Sequence, residues 1–483
     1  MFLILLYCLD DALCLAVSAA STPNGQDLRV ISTKKNGGQS KVFSFESGSD
    51  LRTKRSPASA LRKVQTTLRS TFLPSGYPNR TPDGYLQYSV WSWIQDISTQ
   101  LRSVLATQRV LEGVGVGREG ATALSALMNY LVRDGCGMAA TLLFTSAASS
   151  KFRTDVKRWR LFADIMVDLG ITLEVAAVMV PRSIFLPMIS VGNMCKAICG
   201  VAAGACGGSI NLHWAKGSDI SDINAKFGAQ HTVTGALGLV FAAFFAKSVS
   251  SVDPLHLWLL YSALTILHIF ANMRCMRLIA FDSFNDARMN MALAEFLKWY
   301  DTPLVVDLKT TTPPTLSSPA EISKIEPLLF GVQPKYERAL PQVPIYFGDT
   351  FNDFSDRSNK SRGDLEKLMV NQTAKDDKYM ISSARTPKGR LCVVVVLFSL
   401  ATPLQETKAY FHAMLLARRL EKGERSLENG EKLTDTTRMI GEGESQSELE
   451  AAWEMFQGRC RVAGWDLSKT ELKTLGYEVA VEA

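Results

Sequence analysis

In the run KRWRLFADIMVDLGITLEV, which starts at Lys157, the polar residues Arg160, Asp164, Asp168 and Glu174 fall within one arc of a 3.6-residue helix. Leu161, Ile165 and Leu169 take another face. A carboxylate at the centre of a membrane helix costs roughly 2.5–3.5 kcal/mol on insertion scales, so the polar arc avoids lipid. Two readings follow: a helix lying at an interface with its charges solvated, or an internal polar pathway for protons, ions or a small substrate. A second stripe, Asp219, Asp222, Lys226 and Gln230, has three- and four-residue spacing, with His213 upstream and His231 adjoining it. Asp222, Lys226 and His231 are ligand or proton-relay candidates. The acid, base and nucleophile of a catalytic triad are not assembled anywhere in the chain, so the expectation is no enzyme and no catalytic residue.

Two other patterns carry less. Gly115, Gly117 and Gly120 match G-x-G-x-x-G, but the dinucleotide fingerprint needs a preceding strand and LRSVLATQRVLEG is helical in period; a hinge is the better reading. The nine cysteines include no C-x-x-C pair, and Cys195 and Cys199 lie one turn apart among small apolar residues, so no metal site is expected. The sequence specifies no cofactor.

The elements that must position these residues follow from the wider pattern. At 483 residues the chain is too long for one ordinary core. With 47% hydrophobic and 21% charged residues it is greasier than a typical cytosolic enzyme, so part membrane and part soluble is expected. A net charge of +6 without a concentrated basic tract argues against nucleic acid. Residues 1–72 read as a leader: an apolar start interrupted by Asp10 and Asp11, then a Ser/Thr-rich stretch rich in Lys and Arg, suggesting a signal or transit sequence or a disordered extension. Residues 73–300 read as a helical, membrane-associated domain. WSWIQDISTQLRSVLATQRVLEG is expected to be a helix ending at Gly113, and ATALSALMNYLVRDGCGMAATLLFTSAA a second. The strong spans begin at Val233 and Leu255, each near the roughly 20 residues that cross a bilayer. Weaker ones, Ile171–Pro181 and Ile184–Ile210, are interrupted by Pro181, Pro187 and glycines. Residues 301–325 are a Pro/Thr/Ser-rich linker. Residues 326–483 read as a small α/β domain with a charged insertion near 421–450, in which LCVVVVLFSL is a buried strand. The fold class is therefore mainly α, a membrane-associated helical domain followed by a small α/β C-terminal domain.

Five segments carry a family resemblance: LATQRVLEGVGVG (Leu105–Gly117), YLVRDGCGM (Tyr130–Met138), KRWRLFADIMVDLG (Lys157–Gly170), AKFGAQHTV (Ala225–Val233) and LHIFANMR (Leu267–Arg274). In order and spacing they resemble the domain shared by root UVB sensitive proteins, from about Gly76 to Arg288. Fragments such as EPLLFG (Glu326–Gly331) and AGW (Ala463–Trp465) extend it into the tail. The resemblance implies a membrane-associated protein without an established catalytic activity. Plant members are linked to root development under ultraviolet-B, vitamin B6 balance and auxin transport, with plastid location and pairing between paralogues. It therefore implies membrane lipid, a paralogue or second copy, and a small molecule related to vitamin B6 as partners, and a membrane of a plastid or mitochondrion as the location.

Two functions fit: a non-enzymatic membrane protein that scaffolds or helps move a small molecule, or a peripheral helical adaptor that binds partner proteins through its C-terminal domain. For the first, the basic groups around Lys151–Arg160, at Lys216 and Lys226, and at Arg274, Arg277 and Arg288 share one side of the membrane, which the positive-inside tendency makes cytosolic, matrix or stromal. Arg182 and Lys247 fall opposite.

Overall fold

The protein is described by a computed structural model covering residues 29–32, 41–44, 57–115, 123–217, 219–249, 253–301, 315–329, 334–358, 363, 378–386, 388–428, 444–474 and 478–479. Two compact units divide between Ile279 and Ala280, and the short stretch Arg153–Asp155 belongs with the second.

The first unit is helical. After a small antiparallel pair, β1 (Arg29–Ser32) with β2 (Lys41–Ser44), come α1 (Pro57–Phe72), α2 (Tyr85–Val114), α3 (Ala123–Ala148), α4 (Val156–Ala176), α5 (Arg182–Trp214), α6 (Ile220–Val249) and α7 (Pro254–Leu278). β1, β2 and α1 thus lie inside the segment read as a leader. α2 runs two residues past the expected Gly113 cap and ends at Gly115, whose φ of 96° is the left-handed conformation that closes a helix. α2 packs on α4, α6 and α7, while α5 packs on α3 and α4. The α4–α5 approach is close because both helices carry glycine there: a Cβ on Gly170 would lie 2.5 Å from the Gly192 carbonyl oxygen.

Among the described residues, three helices are long and apolar enough to cross a membrane: Arg182–Trp214, Ile220–Phe244 and Pro254–Leu278. The weak segment Ile171–Pro181 is no separate span but the end of α4 and the turn after it. The other weak segment belongs to one continuous helix, α5. Pro187 sits in its second turn, where the missing N–H frees only the Ser183 carbonyl close to the helix start. α7 starts cleanly, with the Asp253 carboxylate accepting the Leu255 N–H and Pro254 in the first turn. Large apolar side chains face outward on α3 (Leu124, Leu131, Leu142), α6 (Leu239, Phe244) and α7 (Leu255, Leu259, Ile266). So much exposed hydrocarbon on one bundle marks a contact surface for lipid or protein.

The second unit is built on a mixed sheet: β6 (Leu391–Phe398) lies between antiparallel β5 (Tyr379–Arg385) on one side and parallel β4 (Ile345–Phe347) and β8 (Glu478–Val479) on the other. The valine run of β6 is buried on both faces, which accounts for its lack of polar alternation. Val393, Val395 and Leu397 join the core formed by α8 (Asp286–Tyr300), α9 (Pro319–Ile325), α10 (Pro334–Glu337), α12 (Pro403–Glu428) and α13 (Glu444–Ala463). Cys392, Val394 and Val396 pack on Phe354 of α11 (Phe351–Ser358). α8 was expected in the helical domain, yet Phe296 packs edge-on against Phe411 and Phe456, so its burial comes from the second unit. β3 (Phe284–Asn285) pairs in parallel with β7 (Thr470–Glu471), tying both ends of this unit together.

Candidate functional site

Three helices of the first unit each turn a polar ladder toward the others. α2 supplies Gln95, Ser98 and Arg102; α4 supplies Arg160, Asp164, Asp168 and Thr172; α7 supplies Tyr261, Thr265, His268 and Asn272. Steps of three and four residues keep each set on one face, and twelve residues of helix carry the α4 ladder about 18 Å along its axis.

Asp168 is the hub of one half. Its Oδ1 accepts from Arg102 Nη1 at 2.5 Å, and His268 Nδ1 lies 3.0 Å from its Oδ2. Arg102 also donates through Nε to the Ser98 carbonyl (3.2 Å) and through Nη1 to the Thr265 hydroxyl (3.3 Å). Asp164 is the hub of the other half. It accepts from Arg160 Nη1 at 2.9 Å, from Gln95 Nε2 at 2.5 Å and from the Asn272 amide. Thr172 extends the ladder by a 2.8 Å contact to the Tyr261 hydroxyl. Arg102, His268 and Asn272 are between 0% and 1% exposed, and Asp164 and Asp168 are 3% and 4% exposed. Charges this buried persist only when paired, and here two guanidinium groups face two carboxylates. Two buried polar atoms of the ladder lack a partner among the described residues: Arg102 Nη2 and Asn272 Oδ1.

The other anticipated residues lie elsewhere. Glu174 pairs with Lys196 of α5 at 2.5 Å, beyond the ladder. Asp222 and Lys226 are 3.3 Å apart and close off the end of α1: Asp222 accepts the Ser75 N–H at 2.7 Å, Lys226 donates to the Ser70 carbonyl, and Gln230 donates to the Phe72 carbonyl at 2.7 Å. Lys226 and Gln230 thus satisfy carbonyls at a helix end, which have no helical partner, and Asp222 satisfies the Ser75 N–H that follows. His231 lies 3.2 Å from Asp96, its imidazole largely exposed. Of the anticipated set, then, Arg160, Asp164 and Asp168 come together, while Glu174, Asp222, Lys226 and His231 do not join them. The sequence reading missed Gln95, Arg102, His268 and Asn272. A signal was present: His268 and Asn272 stand four apart inside the otherwise apolar ALTILHIFANM, where polar side chains are costly. Among the described residues no group of His, Cys, Asp and Glu has the geometry to hold a metal.

Over residues 58–299 the chain matches the family described as "Vitamin B6 photo-protection and homoeostasis domain", and over 315–475 the one described as "Root UVB sensitive protein, C-terminal". It is 29% identical to "Protein root UVB sensitive 3" of Arabidopsis thaliana over 401 residues, covering 82% of this chain and 85% of that protein. It is 32% identical to "RUS family member 1" of Dictyostelium discoideum over 263 residues, 54% of this chain and 47% of that one. With "Protein root UVB sensitive 2, chloroplastic" of Arabidopsis thaliana the identity is 31% over 248 residues, 51% of this chain and 56% of that one. No solved structure matches. The first match begins one residue after α1 does, and the second opens just before α9.

Proposed function

Because the chain belongs to the root UVB sensitive family, we propose that it is a non-enzymatic membrane protein whose helical unit binds a small polar molecule and assists its movement across or along the bilayer. The observation that supports this most is the ladder on α2, α4 and α7. Five ionisable groups, Arg102, Arg160, Asp164, Asp168 and His268, are gathered beside helices of spanning length, where such groups are rare outside pathways for ions and substrates. The family description points to a vitamin B6-related compound as the first class to test, and one relative's name to an organelle membrane. A polar compound crossing a greasy bundle needs hydrogen-bonding groups at depth, and the ladder supplies carboxylate, guanidinium, imidazole and amide within one contact network. The test begins with carbonate washing of membranes carrying the full chain. Retention supports integral helices, whereas release supports the peripheral adaptor. Vesicles containing the purified protein should then accumulate labelled pyridoxine-type compounds faster than empty vesicles, and Asp164→Asn should slow them. Retention in the membrane with no gain in uptake of any such compound would remove the movement reading.

A further inference from the structure

Counting charge in the ladder gives a constraint on what it takes up. Arg102 and Arg160 balance Asp164 and Asp168, so the network is neutral while His268 is neutral. His268 faces Asp168 and, further off, Asp164 of α4; Arg102 of α2 and the Tyr261 hydroxyl of α7 lie around Asp168, Arg160 pairs with Asp164, and the Cys199 thiol of α5 lies near the same carboxylates. None of these supplies a third negative charge. Nδ1 of His268 faces the Asp168 carboxylate, which sets the proton of the neutral ring on Nδ1 and leaves Nε2 as the basic nitrogen. Protonating Nε2 adds one positive charge to a network buried among apolar helices. An anion beside the ring restores the neutrality of the network. The place for the anion is marked independently: Arg102 is fully buried, one of its guanidinium nitrogens is held by Asp168, and Nη2 has no acceptor among the described residues. A guanidinium is built to hold two oxygen acceptors side by side.

We propose that Arg102 and His268 form a co-binding site for one small oxyanion and one proton, so that the cargo is a carboxylate or phosphate monoester carried with a proton from water. This rests on the movement reading above and specifies its cargo. The anion's oxygen bonds Arg102 Nη2 and the proton goes to His268 Nε2; with a carboxylate, or a phosphate monoester in its monoanionic form, the net charge of the ladder is zero in the empty and the loaded states. Arg160 and Asp164 play no part in the charge change, since each satisfies the other.

The experiment uses the full chain reconstituted in vesicles with the pH dye pyranine trapped inside and the membrane potential clamped. The probes are pyridoxine 5′-phosphate and its uncharged parent pyridoxine, which differ only in the phosphate. An inward gradient of the phosphate should acidify the lumen, and pyridoxine should not. His268→Gln retains an amide donor for Asp168 but binds no proton; Arg102→Lys keeps Asp168 paired but loses the second arm. Both should reduce acidification at least tenfold. Entry of the phosphate without acidification overturns the proton half and leaves the movement reading intact. Entry of pyridoxine in preference to its phosphate overturns the anion half. If neither compound enters, the movement reading falls as well. These outcomes are read on the wild-type protein, so they stand even if a variant fails to fold.

Discussion

Arg102 makes the consequence of a single substitution at Asp168 predictable in direction. From the sequence alone, Asp168→Leu would ease burial of α4. In the structure it strands a fully buried guanidinium, and breaking a buried pair from one side costs about 3–5 kcal/mol. The expected outcome is marked destabilisation in Asp168→Leu and recovery of most of it in Arg102→Leu/Asp168→Leu, read as thermal inactivation in detergent; a double variant no better than the single one would contradict the pairing. His412 offers a second test, in the other unit. Its imidazole is buried, bonded through Nδ1 to the Tyr379 hydroxyl at 2.9 Å, and pushed down to about 3, chiefly by burial and next by Lys408. The unfolded ring titrates near 6.5. Between about pH 6.5 and 3 only the unfolded chain takes the proton, so stability is complete above that window and falls as pH drops through it, by at most about 1.4 kcal/mol per pH unit. Hydrogen exchange of the α12 amides at pH 7 and 5 should show this loss, and His412→Gln should flatten it. Half of the ladder was legible in the sequence, since Asp164 and Asp168 betray themselves by spacing on one helix. Their partners were not, because Arg102 is 66 residues from Asp168 and His268 is 100 away, and no local periodicity encodes such a pairing.

At the scale of elements, long periodic or uniformly apolar runs were readable and helix ends were not. β6 was evident from its β-branched run, and α12 and α13 fell where the apolar spacing put them. α5 was under-read because proline and glycine were given their average meaning; a proline in the second turn leaves the rest of the helix intact, and packing on α3 and α4 supplies the remaining support. The stripe on α6 illustrates the converse. Its spacing was legible, but its task, closing the end of α1, depends on a helix the sequence reading had placed in the leader. Lys226→Met with Gln230→Leu leaves the Ser70 and Phe72 carbonyls without these donors, at about 1–3 kcal/mol for each buried one. The expected result is faster hydrogen exchange and protease cleavage across Pro57–Phe72 with α2 and α7 unchanged; equal protection of α1 in the variant would count against the clamp.

For the whole molecule, two-part organisation was visible from composition, whereas the seam was not, since α8 is amphipathic and only its neighbours reveal which core receives it. If α5, α6 and α7 cross a bilayer, the charge argument still holds. Ala177, just past α4, clusters with Phe185 and Ile189 at the start of α5, whereas Ala163, earlier in α4, clusters with Ala202 further along α5, so the two helices run antiparallel and the basic start of α4 lies toward the Lys216 end of α5. Lys157, Arg158, Lys216, Arg274 and Arg277 then share a side, opposite Arg182 and Lys247. Tags placed between α6 and α7 and at the C-terminus should be digested from opposite faces of sealed organelles; equal digestion would argue against a spanning α6–α7 hairpin. The clamp on α1 also sets a limit on maturation. Among the described residues, the backbone groups that Asp222, Lys226 and Gln230 of α6 hold lie at Ser70, Phe72 and Ser75, so a targeting peptidase that cuts before Pro57 leaves them in place. A cut some fifteen residues further on would take away the Ser70 and Phe72 carbonyls, leaving Lys226 only its pair with Asp222 and the buried Gln230 amide only its bond to the Tyr85 hydroxyl. N-terminal sequencing of the mature protein should therefore find its first residue ahead of α1, since the bundle itself limits how far the chain can be trimmed from that end.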